Sequence, residues 1–394
     1  LAAWVFWSAT ALTFYTYVGY LILLVLMDAL ADLAANLRAL SDQPAPGARP
    51  EELPTVTVLI AAYNEESCLR EKLQNTLAFD YPPEKLTILV GSDGSTDATD
   101  EIVRSFGSRG VRLSAAPRAG KAQVLNRLAR FAPGQVWLFT DANTLIAPDA
   151  LRLMTARLRD PRIGGVCGRL RIVAPNEAVA SEGLYWKYET LLKIYESRRS
   201  ALIGANGGLY CIRREEWQPL PPDTVVDDFL VSMRIVACGR GFIYEPRAVA
   251  AESASADLAG EFRRHVRISA GNYQALRELR ALLIRRSFAA FAFWSHKVLR
   301  WSVPLFLLLA FLSNLLLLGR GPFYVLTLGI QLAVLAAALV PQDRLPGLPG
   351  RICGLARYFV EMNAALAVGL LRYLRRAQTV TWQRTDRAAI GPLS

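Results

Sequence analysis

No charged residue occurs between Ala2 and Met27. That run constrains the chain more than any other feature, because a helix crosses a bilayer on about 20 consecutive apolar residues. A cleaved signal peptide would show a basic start and a shorter apolar core, so the run reads as a membrane anchor. Two further uncharged runs, 303–319 and 321–340, are separated only by Arg320 and predict a helical hairpin through the membrane. A fourth apolar run, 352–371, carries Arg357, Glu361 and Asn363. A charge at the bilayer centre costs roughly 2.5–3.5 kcal/mol, so this segment either spans or lies in the interface.

The net charge of +11 comes from basic residues crowded beside those runs, namely Arg285, Arg286, Lys297, Arg300, Arg372, Arg375 and Arg376. Such placement fits positive-inside anchoring and contact with anionic lipid. No helix-turn-helix or zinc pattern accompanies it, so nucleic acid is not an expected partner. Five cysteines without paired spacing fit buried thiols in a reducing compartment. With two histidines, His265 and His296, a His-based triad or a zinc enzyme is not expected, and carboxylates must do the acid–base work.

Between the first anchor and the hairpin, a Pro-, Ala- and Gly-containing linker, 41–54, leads into Val56–Ala62, an apolar run fit for a central parallel strand. It ends at Tyr63-Asn64-Glu65-Glu66 and passes into a helix over 68–79. A second strand, 87–90, closes on Gly91-Ser92-Asp93-Gly94-Ser95-Thr96-Asp97. A helix from Lys121 then leads to Val136-Trp137-Leu138-Phe139-Thr140-Asp141-Ala142-Asn143-Thr144. Strands alternating with helices predict a doubly wound α/β sheet. Ligands bind at the carboxyl ends of strands in such sheets, which places Asp93, Asp141 and Lys121 along one crevice. Asp141 and Asn143, two oxygen donors one residue apart, suit a hard divalent cation that also grips a diphosphate. An Asx turn closing the strand is the alternative for that pair.

The set V-x-V-L-I-A-A-Y-N-E-E, G-S-D-G-S-T-D, G-K-A-x-x-L-N and T-D-A-N-T, in that order, resembles the membrane-integrated family 2 glycosyltransferases, which include the cellulose, chitin, hyaluronan and poly-N-acetylglucosamine synthases. The resemblance covers roughly residues 54–275. It implies a nucleotide-diphospho-sugar transferase (GT-A) Rossmann-like domain inserted between transmembrane helices, an inverting mechanism, a UDP-sugar donor, and Mn²⁺ or Mg²⁺. It also implies that Ala61, Tyr63 and Glu65 border the nucleotide, that Asp93 binds the uridine, and that Lys121 helps with the phosphates. Asp141 takes the place of the metal-binding acid of D-x-D, while Asn143 keeps an oxygen donor but loses a charge.

The later segments continue the likeness. Gly207 and Gly208 lie in a glycine-rich stretch, 204–208, of the kind the family places near acceptor and donor, and clustered glycines let a backbone approach a ligand closely. Trp186 and neighbouring aromatics could stack a sugar, although at helical spacing such rings more often join a core. Val226-Asp227-Asp228 opens a helix and resembles the family's T-E-D motif, with Asp228 at the general base and Asp227 before it; a helix cap is the plainer reading. Arg263-Arg264-His265-Val266-Arg267-Ile268 stands where processive members carry Q-x-x-R-W. Arg267 matches and can contact the diphosphate. Arg264 replaces Gln, as ceramide glucosyltransferases tolerate, and Ile268 replaces the Trp of the acceptor platform, for which Tyr273 or an aromatic from elsewhere could substitute. Trp382, Thr385 and Arg387 resemble a W-x-x-T-x-R gating tail.

The expected organisation is an anchor (1–30), linker (31–53), cytoplasmic transferase domain (54–280), interfacial helices (281–301), membrane region (302–375) and cytoplasmic tail (376–394). The expected location is the plasma (bacterial inner) membrane, and the expected product a β-linked polysaccharide. Single addition to a lipid acceptor is the alternative, and accessory export subunits are possible partners.

Overall fold

A computed structural model of the chain describes residues 1–39, 53–173, 180–253, 258–341, 345 and 347–377. Helices α1 (Ala2–Phe14) and α2 (Tyr20–Ala39) run on through one π-helical turn at Tyr15–Gly19. In the globular part, β1 (Val56–Ala62), α3 (Glu66–Leu77), β2 (Leu86–Asp93), α4 (Thr99–Ser105), β3 (Val111–Ala116), α5 (Lys121–Ala129) and β4 (Val136–Asp141) alternate as the sequence pattern predicts. Then come β5 (Leu145–Ile146), α6 (Ala150–Arg157), β6 (Ile163–Val173), α7 (Ala180–Ser197), β7 (Tyr210–Arg213), α8 (Asp227–Ala237) and β8 (Gly241–Ser253). Helices α9 (Leu258–Glu278), α10 (Arg280–Leu283), α11 (Phe288–Phe293), α12 (Leu299–Leu315), α13 (Pro322–Leu339) and α14 (Leu348–Leu374) complete the described part.

The strands form one mixed sheet, in the order β3-β2-β1-β4-β7-β6-β8-β5. The half built from β3, β2, β1 and β4 is parallel, whereas β7 runs antiparallel to both β4 and β6. Every residue of β1 is buried. Helices cover both faces of a parallel sheet, so its central strand is apolar apart from Thr57, whose hydroxyl accepts from the Gly134 N–H. The register aligns the carboxyl ends, with Ala61 between Gly91 on one side and Asp141 on the other. Helix α5 lies so close to β2 that a Cβ on Gly91 would meet Val124 Cγ1 at 2.3 Å. One apolar layer, including Leu69, Leu73 and Met154, fills the α3 and α6 side. The other runs from Leu59, Leu125 and Phe139 through Phe229 to Tyr20, Phe293 and Trp301, so the sheet shares a core with the long apolar helices.

Among the described residues, four helices are long and apolar enough to cross a membrane, namely 2–33, 288–315, 322–339 and 348–374. The second differs from the charge-based expectation. Residues 288–315 form one continuous rod through a π-helical turn at Trp294–Val298, where the sequence suggests interfacial helices up to 301. The reason is pairing. Arg300 and Lys297 meet Glu189 of α7, His296 Nδ1 lies 2.7 Å from Glu196 Oε1, and the Tyr20 hydroxyl donates to the same oxygen at 3.0 Å. The basic residues are thus neutralised within the protein and do not end the helix. In α14, Arg357 pairs with Glu361 at 2.8 Å and the Asn363 amide donates to the Tyr17 hydroxyl at 3.3 Å. Ser269 of α9 donates to the Leu366 carbonyl at 3.2 Å, so α14 lies directly against the globular part.

Candidate active site

Three turns at the ends of parallel strands form the site's floor. Asn64, after β1, takes a positive φ of 54°. Its side-chain oxygen accepts from the Thr96 backbone N–H at 2.8 Å, and the Glu65 N–H donates to Thr99 Oγ1 at 2.8 Å. The first two turns are therefore stitched together, and Asp97 serves that stitching by accepting from the Glu66 N–H at 3.1 Å. Beside them the Arg118 guanidinium stacks on the Tyr63 ring, 3.7 Å from its centroid.

Asp93 is completely buried. Its carboxylate accepts from the Ala119 N–H at 2.7 Å and the Gly120 N–H at 3.1 Å. Gly120 has a φ of +96°, a conformation glycine adopts without strain, and it turns the chain into α5 so that Lys121 is the first helical residue. In this structure Asp93 therefore orders the loop that presents Lys121.

The charged centre lies on the next turn. Lys121 Nζ is 2.8 Å from Asp141 Oδ1 and 3.3 Å from Asp227 Oδ2. Burial alone would lower its pKa, but Asp141, Asp227 and Asp228 outweigh that and hold it above the usual lysine range. Gly207 completes the pocket. A Cβ there would lie 3.1 Å from Asp228 Oδ2 and 3.5 Å from Asp141 Oδ2, so the missing side chain leaves both carboxylates facing one space. Asp228, the second residue of α8, also accepts from the Phe229 N–H at 2.8 Å through Oδ1, while the helix has Val226 at its N-cap and no side-chain cap. The backbone contact and the site use different oxygens of one carboxylate. Burial, with the charge of Asp227 adding to it and that of Lys121 opposing, pushes the Asp228 carboxyl up to about 6. Arg267 is partly buried, and burial together with Arg264 lowers its pKa against the opposing pull of Asp227, Asp228 and Asp141.

Other expected residues lie differently. Arg264 reaches back to Glu261 at 3.3 Å on its own helix. The Tyr273 hydroxyl donates to the Trp301 carbonyl at 2.8 Å and its ring stacks near Tyr373, which places it in the seam between α9 and the apolar helices. Trp186 is partly buried on α7, three residues before Glu189. Gly208 is buried against Thr144, and Ile268 packs on the apolar core. The Asn143 amide nitrogen faces Glu252 Oε1 at 3.5 Å. Trp382, Thr385 and Arg387, like the 41–52 part of the linker, lie outside the described residues.

Two residues that sequence reasoning passed over belong to this region. The Tyr210 hydroxyl is buried with no hydrogen-bond partner among the described residues, while its ring stacks on Phe139 at 4.7 Å. Burial, with Asp227, Asp228 and Asp141 adding to it, holds that hydroxyl's pKa well above the usual tyrosine range. Lys72 lies under the Asp141 turn. Its signal in the sequence is a lysine on the same helical stripe as Leu69, Leu73 and Thr76, all buried.

The chain is similar to several known proteins. The profile of glycosyl transferase family 2 matches residues 57–211, and that of glycosyl transferase family group 2 matches residues 138–340. A poly-beta-1,6-N-acetyl-D-glucosamine synthase of Staphylococcus aureus is 27% identical over 239 residues, which is 57% of this chain and 56% of that protein. The corresponding Staphylococcus epidermidis synthase is 24% identical over 240 residues, with the same shares covered. The chain thus spans about half the length of the curated relatives it matches. Among solved structures, a mannosyltransferase from Pyrobaculum calidifontis in complex with GDP-Man and Mn²⁺ superposes with a TM-score of 0.71, at 24% identity, over 96% of this chain and 100% of that one. That likeness is one of fold.

Proposed function

This chain belongs to glycosyl transferase family group 2, and we propose that it is an inverting membrane glycosyltransferase that builds a β-linked polysaccharide from a UDP-activated hexose or N-acetylhexosamine. The observation that carries the reading is the Lys121 ammonium held between Asp141 and Asp227, with Asp228 and Asp141 facing one space beside Gly207. A cation and a carboxylate at the ends of parallel strands suit a diphosphate, and a second carboxylate across a gap suits an acceptor hydroxyl. The staphylococcal relatives make N-acetylhexosamine polymers by name, which favours UDP-N-acetylglucosamine as the first donor to try.

The family implies a divalent cation, Mn²⁺ or Mg²⁺. Among the described residues no group of three or more His, Cys, Asp or Glu could hold an ion by itself. The residues nevertheless fit one held jointly with a nucleotide, since such ions need only one or two carboxylates when phosphates and water supply the remaining ligands. Asp141 would offer its carboxylate and Asn143 its amide oxygen. Bound there, the ion would neutralise charge on the departing diphosphate.

The chain's own residues then divide the work. Tyr63 and Ala61 border the nucleotide, Glu65 stands beside them, and Asp93 orders the loop on which Lys121 sits. Lys121 exchanges its contacts with Asp141 and Asp227 for the diphosphate oxygens, and Arg267, which feels the charges of Asp227, Asp228 and Asp141, adds a second cation. Asp228 accepts the proton of the acceptor hydroxyl as that oxygen attacks the anomeric carbon and the nucleoside diphosphate departs. Asp227 and Tyr210 shape the field around it. The four apolar helices hold the chain in a bilayer.

The test is to incubate the purified chain with UDP-N-acetylglucosamine, UDP-glucose and Mn²⁺, and to measure UDP release and product size. A ladder or high-molecular-weight product supports polymer synthesis. One sugar on an extractable lipid at every time point would replace it with single addition, which the absence of an aromatic at Ile268 favours. No UDP release from any UDP-sugar would remove the donor assignment.

A further inference from the structure

Lys72 lies on α3 with its side chain completely buried, where an ammonium group has no water to solvate it and needs protein partners instead. Its Nζ donates to Thr140 Oγ1 at 2.8 Å and to the Thr144 carbonyl at 2.6 Å. These two acceptors stand on either side of Asp141-Ala142-Asn143. Three residues further along α3, Asn75 makes a second clamp, donating to the Ile146 carbonyl at 2.8 Å and accepting from the Ile146 N–H at 2.9 Å. The Thr144 N–H donates to the Asp141 carbonyl at 3.3 Å and closes the turn. A single helix thus grips both stems of the turn that carries the site's acid. Burial draws the Lys72 ammonium down to about 7, while the nearby Asp141 charge opposes the change.

We propose that Lys72 is a positioning residue for donor binding, which holds both ends of the Asp141–Asn143 turn and thereby keeps the Asp141 carboxylate on the Lys121 and Gly207 side. Lys72 makes no contact with the donor in this scheme and acts through Thr140 and Thr144. The inference rests on the reading of this pocket as the donor site. A buried lysine that only stabilised the fold would change the melting temperature and leave the folded enzyme's chemistry alone. A lysine that sets the turn must change how Asp141 serves the diphosphate, since a displacement of about 1 Å at a reacting group costs roughly 100-fold in rate.

The experiment uses the full chain in detergent, with Lys72→Met as the variant, because Met is unbranched, fills the space of the lysine stem and removes its hydrogen bonds. Calorimetry measures UDP affinity with and without Mn²⁺, and UDP release from UDP-N-acetylglucosamine gives kcat and KM. The expected result is a kcat lowered about 10- to 100-fold, unchanged UDP affinity without Mn²⁺, and loss of most of the gain in affinity that Mn²⁺ gives wild type. Thr140→Val, which removes an acceptor at the other end of the same bond, should act in the same direction and carries the test if Lys72→Met does not fold. In an Asp141→Asn background, Lys72→Met should leave UDP affinity in Mn²⁺ where Asp141→Asn alone puts it. A Lys72→Met enzyme that melts earlier yet turns over within twofold of wild type, with the full Mn²⁺ effect, overturns the proposal. If Asp141→Asn by itself changes neither turnover nor the Mn²⁺ effect, the donor-site reading fails, and this is seen in protein with Lys72 intact.

Discussion

Replacing Asp228 by Asn should make the protein more stable and nearly inactive at once. The carboxyl stands at about 6, against 3.8 for an ordinary aspartate. Folding raises this pKa, so the folded chain holds the proton more tightly than the unfolded one. The stability it contributes is complete below about 3.8 and is lost as pH rises through about 6. Above that range the ionised group is a cost to the folded state. A rise of about two units corresponds to roughly 3 kcal/mol, and partial exposure of the side chain reduces this to about 1–2 kcal/mol. Asn removes the charge and keeps an oxygen for the Phe229 N–H. The variant should therefore melt higher at pH 8, by about 2–4 °C per kcal/mol for a domain of this size, and show no gain at pH 4. Turnover should fall by about 10²–10⁴-fold, the usual contribution of a general base. Wild-type turnover should itself decline below about pH 6 as the base becomes protonated. Thermal unfolding at both pH values, with UDP release at pH 8, checks each part. A lower melting temperature at pH 8, or a gain that persists at pH 4, refutes the electrostatic argument; turnover within tenfold of wild type refutes the base.

Asp141→Ala should remove the Mn²⁺-supported turnover, whereas Asn143→Asp, which adds a charge, should lower the Mn²⁺ concentration giving half activation; a metal titration of UDP release reads both. Gly207→Ala puts a methyl group 3.1 Å from Asp228 Oδ2 and 3.5 Å from Asp141 Oδ2, so turnover should fall at least about tenfold while the melting temperature stays close to wild type. Glu189→Gln removes the buried carboxylate that Arg300 and Lys297 share, and chemical denaturation in detergent should show a loss of about 3–5 kcal/mol.

Local pattern was enough for a good part of this molecule. Uncharged runs of bilayer length, an apolar run at Val56–Ala62 and polar turns after three strands are each decided by neighbours in the chain, so the long helices, the parallel half of the sheet and the alignment of Asp93, Asp141 and Lys121 were legible. The other half, in which β7 runs antiparallel to β4 and β6 while β6 pairs parallel with β8, was not, because these strands pair across more than 30 residues and carry no shared local signal. Nor could a sequence say what each charge faces. Asp93 looks like a free ligand until the fold brings the Ala119 and Gly120 N–H groups onto its carboxylate. Lys297 and Arg300 look like the end of a membrane segment until Glu189, more than a hundred residues away, neutralises them inside a continuous helix. Lys72 looks like a surface lysine until Thr140 and Thr144 meet it in the core. Hydrophobic periodicity is set by the next few residues, whereas the partner of a buried charge is set by whichever distant segment packs against it, and that is a property of the tertiary structure alone.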